Sequence, residues 1–155
     1  MRRFFDTNVL VYSQDRSDPA KQALAQELVA EAIDDEAFVV STQVLAEFYA
    51  TVLRRKLLAP APALALARLW SENDVVPQTP ELLLHGLELH QAHSISVWDA
   101  LVVRAAIEAR CDFLLSEDLQ HGRRFGELEI VNPFRARAAH EKVAPYRATS
   151  KRRRA

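Results

Sequence analysis

Apolar residues along this chain follow two rhythms. Short apolar runs occur at Arg3-Phe4-Phe5-Asp6, Ala37-Phe38-Val39-Val40, Val75-Val76, Phe113-Leu114-Leu115 and Leu128-Glu129-Ile130-Val131. Between them lie longer stretches in which apolar positions recur every three or four residues. Buried parallel strands read as brief continuous apolar runs, whereas amphipathic helices show the longer period. Five strands alternating with helices predict an α/β domain with a mostly parallel sheet.

The polar positions mark where the helices begin. Asp18-Pro19 combines a cap with proline in the first turn and opens a helix to about residue 33. Thr42 or Ser41 caps a second helix through about Lys56, with Val44, Leu45, Phe48 and Val52 at helical spacing. Pro60 and Pro62 restart the chain as a helix through about Trp70, and Thr79-Pro80-Glu81 launches another to about His90. A strongly apolar helix is predicted from Ser96 to about Arg110. No internal repeat of fixed period occurs.

Composition refines this picture. A chain of 155 residues that is 49% hydrophobic fits one domain with an ample core. The apolar pattern fades past Phe134, so residues 1–135 are expected to form the domain and 136–155 a weakly ordered, basic C-terminal tail. From Arg135 onward there are eight basic residues and one acid; the preceding 134 residues carry 12 basic and 20 acidic residues. Such a tail either contacts nucleic-acid phosphates, through Lys151, Arg152, Arg153 and Arg154, or is a solvated terminus. The lone Cys111 excludes an intrachain disulfide, and no zinc-finger spacing of Cys and His is present. With no signal-peptide pattern and no long apolar segment, the expectation is a cytoplasmic protein without a membrane partner. Only three glycines occur, so a glycine-rich phosphate cradle is absent.

Four acids stand inside or just beyond predicted core elements: Asp6, Glu47, Asp99 and Asp118. Carboxylates are rarely buried without a partner. Asp6 and Asp118 follow strands, while Glu47 and Asp99 sit in early helical turns, so all four can converge at the rim beyond the strand carboxyl ends. Four such charges repel unless cations neutralise them, and oxygen ligands without thiolates favour Mg²⁺ or Mn²⁺, with one or two ions taking part. That arrangement serves metal-assisted phosphodiester hydrolysis. Each acid also has a plainer reading. Asp6 can cap a helical turn near Asn8, Asp99 can complete a capping box with Ser96, Glu47 can face solvent, and Asp118 competes with Glu117. Thr7, Asn8 and Ser116 either support the site or cap turns. His121, Arg123 and Arg124 read as an exposed loop that can meet a phosphate chain, and Trp98 as core packing rather than a base-stacking platform.

Taken in order, Phe5-Asp6-Thr7-Asn8-Val9-Leu10, Gln43-Val44-Leu45-Ala46-Glu47-Phe48, Val97-Trp98-Asp99-Ala100-Leu101-Val102 and Leu114-Leu115-Ser116-Glu117-Asp118-Leu119 resemble the PIN domain, in particular the small endoribonuclease toxins of VapC type. The resemblance spans about residues 2–134. It implies a three-layer α/β/α fold with a five-stranded parallel sheet of order 3-2-1-4-5 and an acidic Mg²⁺/Mn²⁺ site cutting single-stranded RNA. It further implies that Asp6, Glu47, Asp99 and Asp118 are the metal-binding catalytic acids, with Ser116 where family members carry serine or threonine. A homodimer and a small cognate antitoxin reaching into the active-site groove belong to the same implication. Two alternatives compete. A non-catalytic PIN-type RNA-binding or regulatory scaffold would be expected to have lost an acid. A phosphatase of haloacid-dehalogenase type would want an acid two residues after Asp6, where Asn8 stands.

Overall fold

Phe4 and Phe5 are consecutive and both fully buried, so the first strand is covered on its two faces, as a central parallel strand requires. The computed structural model of the chain describes residues 1–135, and the basic tail expected at 136–155 lies outside them. The elements are β1 (Arg3–Phe5), α1 (Thr7–Tyr12), α2 (Pro19–Asp34), β2 (Phe38–Ser41), α3 (Thr42–Arg54), α4 (Pro60–Ser71), β3 (Asp74–Val76), α5 (Pro80–His93), α6 (Val97–Glu108), β4 (Phe113–Leu115), β5 (Arg124–Phe125) and β6 (Leu128–Val131). Capping explains most helix starts. The side chains of Asp18, Ser41, Thr79 and Ser96 each accept the amide three residues on, at 3.1–3.2 Å. Ser41 rather than Thr42 caps α3; the Thr42 hydroxyl instead accepts the Gln78 amide at 3.1 Å, fastening α3 to the segment after β3.

The sheet order is β3-β2-β1-β4-β6-β5. Its five parallel strands follow the expected 3-2-1-4-5 order, flanked by helices in an α/β/α arrangement. The sixth strand corrects the five-stranded expectation. β5 is two residues long and pairs antiparallel with β6 through Arg124↔Glu129 and Phe125↔Leu128. Gly126, at φ 61°, turns the chain tightly between them. Two residues are too few to leave a periodic signal, which is why this stretch reads as a loop from sequence. No described helix is long and apolar enough to cross a membrane.

The core lies between the sheet and its helices, around Phe4, Phe5, Leu10, Phe48, Leu101, Leu114 and Ile130. Phe38 stacks 4.8 Å from Phe5, and Trp70 meets Phe48 edge-on at 4.7 Å, which docks α4. Arg3 is buried within β1 and pairs with Asp35 at 2.8 Å, satisfying a charge that would otherwise destabilise the strand. Helices α5 and α6 approach closely at Gly86, where a β-carbon would lie 2.6 Å from the Leu101 side chain. Replacing Gly86 with valine is expected to destabilise the fold by about 1–3 kcal/mol through overpacking. Gly86→Ala should do less harm, because only the far end of Leu101 must shift; urea titration of the two variants checks the ranking.

Candidate active site

Strands β1 and β4 are paired in register, Phe5 opposite Leu115, and the Asp6 amide donates to the Leu115 carbonyl at 3.0 Å. The residues that leave these strands, Asp6 and Ser116, are therefore neighbours. Sheet order reverses between these two strands, the position where open α/β sheets gather ligands.

Asp6 is only 6% exposed. Its Oδ1 accepts the Thr7 amide at 2.7 Å, capping α1, and its Oδ2 accepts the Ser116 hydroxyl at 2.7 Å and the Asn8 side-chain amide at 3.2 Å. Capping and a place in the cleft are compatible, because the two oxygens divide the work. Asn8 links the segments. Its Nδ2 also donates to Asp118 Oδ2 at 3.1 Å, and its Oδ1 accepts the Glu117 amide at 3.1 Å. The Asp118 amide in turn donates to Ser116 Oγ at 3.2 Å. Glu117 also lines the cleft but is paired with Lys21 at 2.5 Å, and Lys21 also reaches the Tyr12 hydroxyl at 3.2 Å. Of the two competing acids, then, Asp118 is the one joined to Asp6.

Glu47 faces this network rather than solvent: Oε2 accepts the Thr7 hydroxyl at 3.1 Å and Oε1 accepts Gln43 Nε2 at 2.9 Å. Asp99 enters from the first turn of α6. Its amide donates to the Ser96 hydroxyl at 3.1 Å, yet the reciprocal bond of a capping box, from the Ser96 amide to the Asp99 carboxylate, is not formed. That carboxylate lines the same cleft as Asp6, Glu47 and Asp118, a depression of about 300 Å³ whose wall also includes Thr7 and Asn8.

The four acids share the cleft without closing on a single point. Among the described residues, no three His, Cys, Asp or Glu side chains are grouped tightly enough to hold one ion. The Asn8 amide stands between Asp6 and Asp118 and satisfies both, as a cation would. The donor chemistry nevertheless fits a hard dication, since carboxylate, hydroxyl and amide oxygens line the wall and, among the described residues, no thiolate or imidazole does. Burial pushes the Asp6 carboxyl up to about 6; hydrogen bonds from Ser116 and Thr7 oppose this, and the charges of Asp118 and Asp99 add to it.

Other residues depart from their sequence readings. Trp98 is not in the core: it is 64% exposed and forms part of the cleft wall beside Asp99. Arg124 lies in β5 and pairs with Glu129 at 2.9 Å, while Arg123 donates to the His93 carbonyl at 2.8 Å and stacks over Phe125. His121 accepts the Asn132 amide at 3.1 Å. None of these three lines the cleft. Lys151, Arg152, Arg153 and Arg154 lie outside the described residues. Arg55 and Tyr12 do line it and had no distinguishing sequence signal, because one basic residue among Arg54-Arg55-Lys56 looks like any helix end.

A model of the PIN domain matches residues 3–125. The chain belongs to the PIN domain family. Among solved structures this PIN chain is similar to Mycobacterium tuberculosis VapC20, described as a sarcin-ricin loop cleaving toxin, at 23% identity over 75% of this chain and 91% of that one, with a TM-score of 0.63. It is also similar to VapBC2 from Rickettsia felis, solved bound to a DNA fragment from the promoter, at 21% identity over 85% and 98% of the respective chains, with a TM-score of 0.60. At these identities the likeness is one of fold. No curated protein sequence matches the chain.

The raised Asp6 value sets a pH dependence for this PIN domain. An acid whose folded pKa lies above its unfolded one adds stability at low pH, and that contribution disappears as pH rises from about 4 through about 6. In EDTA, the stability of Asp6→Asn relative to wild type should therefore grow between pH 4.5 and 7.5, by about 2 kcal/mol. Denaturant titrations at the two pH values test this; a difference independent of pH would refute it.

Proposed function

We propose that this PIN chain is a Mg²⁺- or Mn²⁺-dependent endoribonuclease that cuts single-stranded regions of RNA, acting as the toxin of a type II toxin–antitoxin pair. The observation that carries the reading is the arrival of Asp6, Glu47, Asp99 and Asp118, from four separate segments, in one cleft at the sheet's switch point. Its likeness in fold to a toxin that cleaves the sarcin-ricin loop supports the substrate class. The VapBC2 likeness supports a cognate antitoxin as partner, and a homodimer is part of the same proposal.

Asp6, Asp99 and Asp118, with Glu47, would hold the ion. When bound, it supplies charge neutralisation, Lewis acidity and a lowered water pKa. The chain's own groups prepare the carboxylates. Ser116 and the Thr7 amide donate to Asp6 and favour its ionised form. Thr7 and Gln43 aim Glu47 into the cleft, and Asn8 fixes the spacing of Asp118 from Asp6. Exposed Trp98 offers a stacking face to an unpaired base. The tail cations Lys151 and Arg152 to Arg154, together with Arg123 and Arg124, are proposed as outlying phosphate contacts.

One observation favours a second reading, a PIN scaffold that binds RNA without turnover: the acids are spread rather than clustered. Incubating purified protein with total cellular RNA in Mg²⁺, Mn²⁺ or EDTA separates the two. Discrete fragments that need metal, reduced at least about 100-fold in the Asp6→Asn/Asp99→Asn double variant, are expected. Fragments that persist in the variant would overturn the site assignment, and RNA binding without cutting by wild type would favour the scaffold. Trp98→Ala should weaken binding of a single-stranded RNA by about 1–3 kcal/mol without shifting the melting temperature.

A further inference from the structure

The cleft has a charge problem. Its wall carries five carboxylates, those of Asp6, Glu47, Asp99, Glu117 and Asp118, and one cationic side chain among the described residues, Arg55. With Glu117 paired to Lys21, a polyanionic strand entering here meets repulsion from the other four acids, and the groups lining the wall that can receive its phosphates are that guanidinium and whatever cation the acids hold.

Arg55 is built for more than closing a helix. It follows the last turn of α3, and Glu47, Thr51 and Arg55 recur at four-residue steps, so they share one helical face, and all three line the cleft. One terminal nitrogen, Nη2, donates to Asp15 Oδ2 at 2.6 Å. Asp15 is itself 3% exposed and is locked from its other oxygen by the Ser17 hydroxyl at 2.6 Å and the Ser17 amide at 3.0 Å. The rest of the guanidinium is open: Arg55 is 42% exposed, its Nε and Nη1 have no protein partner among the described residues, and Nη2 keeps a second hydrogen that lies beside one of them. A guanidinium held through one hydrogen of Nη2, with the other free beside an unpartnered nitrogen, presents a preorganised two-nitrogen fork, which suits a phosphate.

We propose that Arg55, oriented by Asp15, binds a backbone phosphate of the single-stranded substrate next along the strand from the one that is cut. The separation sets the register. Glu47 and Arg55 are eight residues apart, about 12 Å along the helix, and the bond to Asp15 holds the guanidinium away from the acids, so we assign the two residues to different phosphates. Asp15 is a positioning residue in this scheme and Arg55 the contact. The inference rests on the nuclease reading and specifies how that cleft holds its substrate.

The test is steady-state cleavage of a fluorogenic single-stranded RNA in Mg²⁺, at salt between about 50 and 200 mM. Arg55→Gln should raise KM roughly 5- to 10-fold with kcat within about twofold, and should reduce the slope of log(1/KM) against log salt by about 1. Arg55→Lys should restore the slope but only part of the affinity, and Asp15→Asn should weaken affinity with the slope retained. A single neutral methylphosphonate beside the scissile linkage should impair wild type and leave Arg55→Gln unaffected at that position. If Arg55→Gln lowers only the melting temperature, with KM and slope unchanged, the pair is a structural clamp and the proposal falls while the nuclease reading stands. An Arg55→Gln that cuts RNA normally but no longer binds poly-glutamate would instead assign the fork to an acidic protein segment and overturn it. If wild type neither binds nor cuts RNA, both readings fall together.

Discussion

A buried carboxylate must be answered by donors, and the answer given to Asp6 organises this end of the molecule. The Thr7 amide, the Ser116 hydroxyl and the Asn8 side chain supply three hydrogen bonds. Ser116 follows β4 and Asn8 belongs to α1, so satisfying one carboxylate joins the exits of the two central strands. The loop after β4 then takes its course from Asn8, which receives the Glu117 amide and donates to Asp118. Without that carboxylate, Asn8 would still reach Ser116, Glu117 and Asp118, but Ser116 and Asn8 would lose the acceptor on β1's exit that they share.

The same network divides labour between two adjacent acids. Glu117 and Asp118 are chemically similar and neighbouring, so nothing local separates them. Lys21, delivered by α2, takes Glu117 into an ion pair, and Asn8 ties Asp118 to Asp6, although both acids line the cleft. The partition arises because the two partners come from different helices, Lys21 from α2 and Asn8 from α1. An amide that bridges two carboxylates also explains why the acids are gathered in one cleft without crowding: Asn8 supplies by hydrogen bonding part of the compensation that a dication supplies by charge.

Polarity along α3 gives the cleft its direction. Glu47 sits toward the acids and Arg55 at the far end, on one helical face. In the proposed nuclease, an acidic end for metal and scissile bond and a cationic end for a neighbouring phosphate would orient a strand, with exposed Trp98 at the rim beside Asp99.

The chain order of apolar runs and caps determined the α/β class, the five parallel strands and most helix starts, because burial on both strand faces and orphan amides at helix ends both leave local marks. The four acids were legible as candidates, because Asp6, Glu47, Asp99 and Asp118 stand inside or just beyond apolar runs, though the side Glu47 faces and the choice between Asp118 and Glu117 were not. What the tertiary structure alone decided was orientation and partnership. Trp98 falls within an apolar helical run, yet its position in the first turn of α6 leaves it exposed rather than packed. Arg55 is one of three successive basic residues, and only the arrival of buried Asp15 from the α1–α2 connection singles it out. The antiparallel β5 was invisible because two residues carry no period and pair only once β6 is in place. A sequence records which faces must be buried, since that constraint repeats along the chain, whereas side-chain partners distant in sequence are fixed only when strand order brings their elements together.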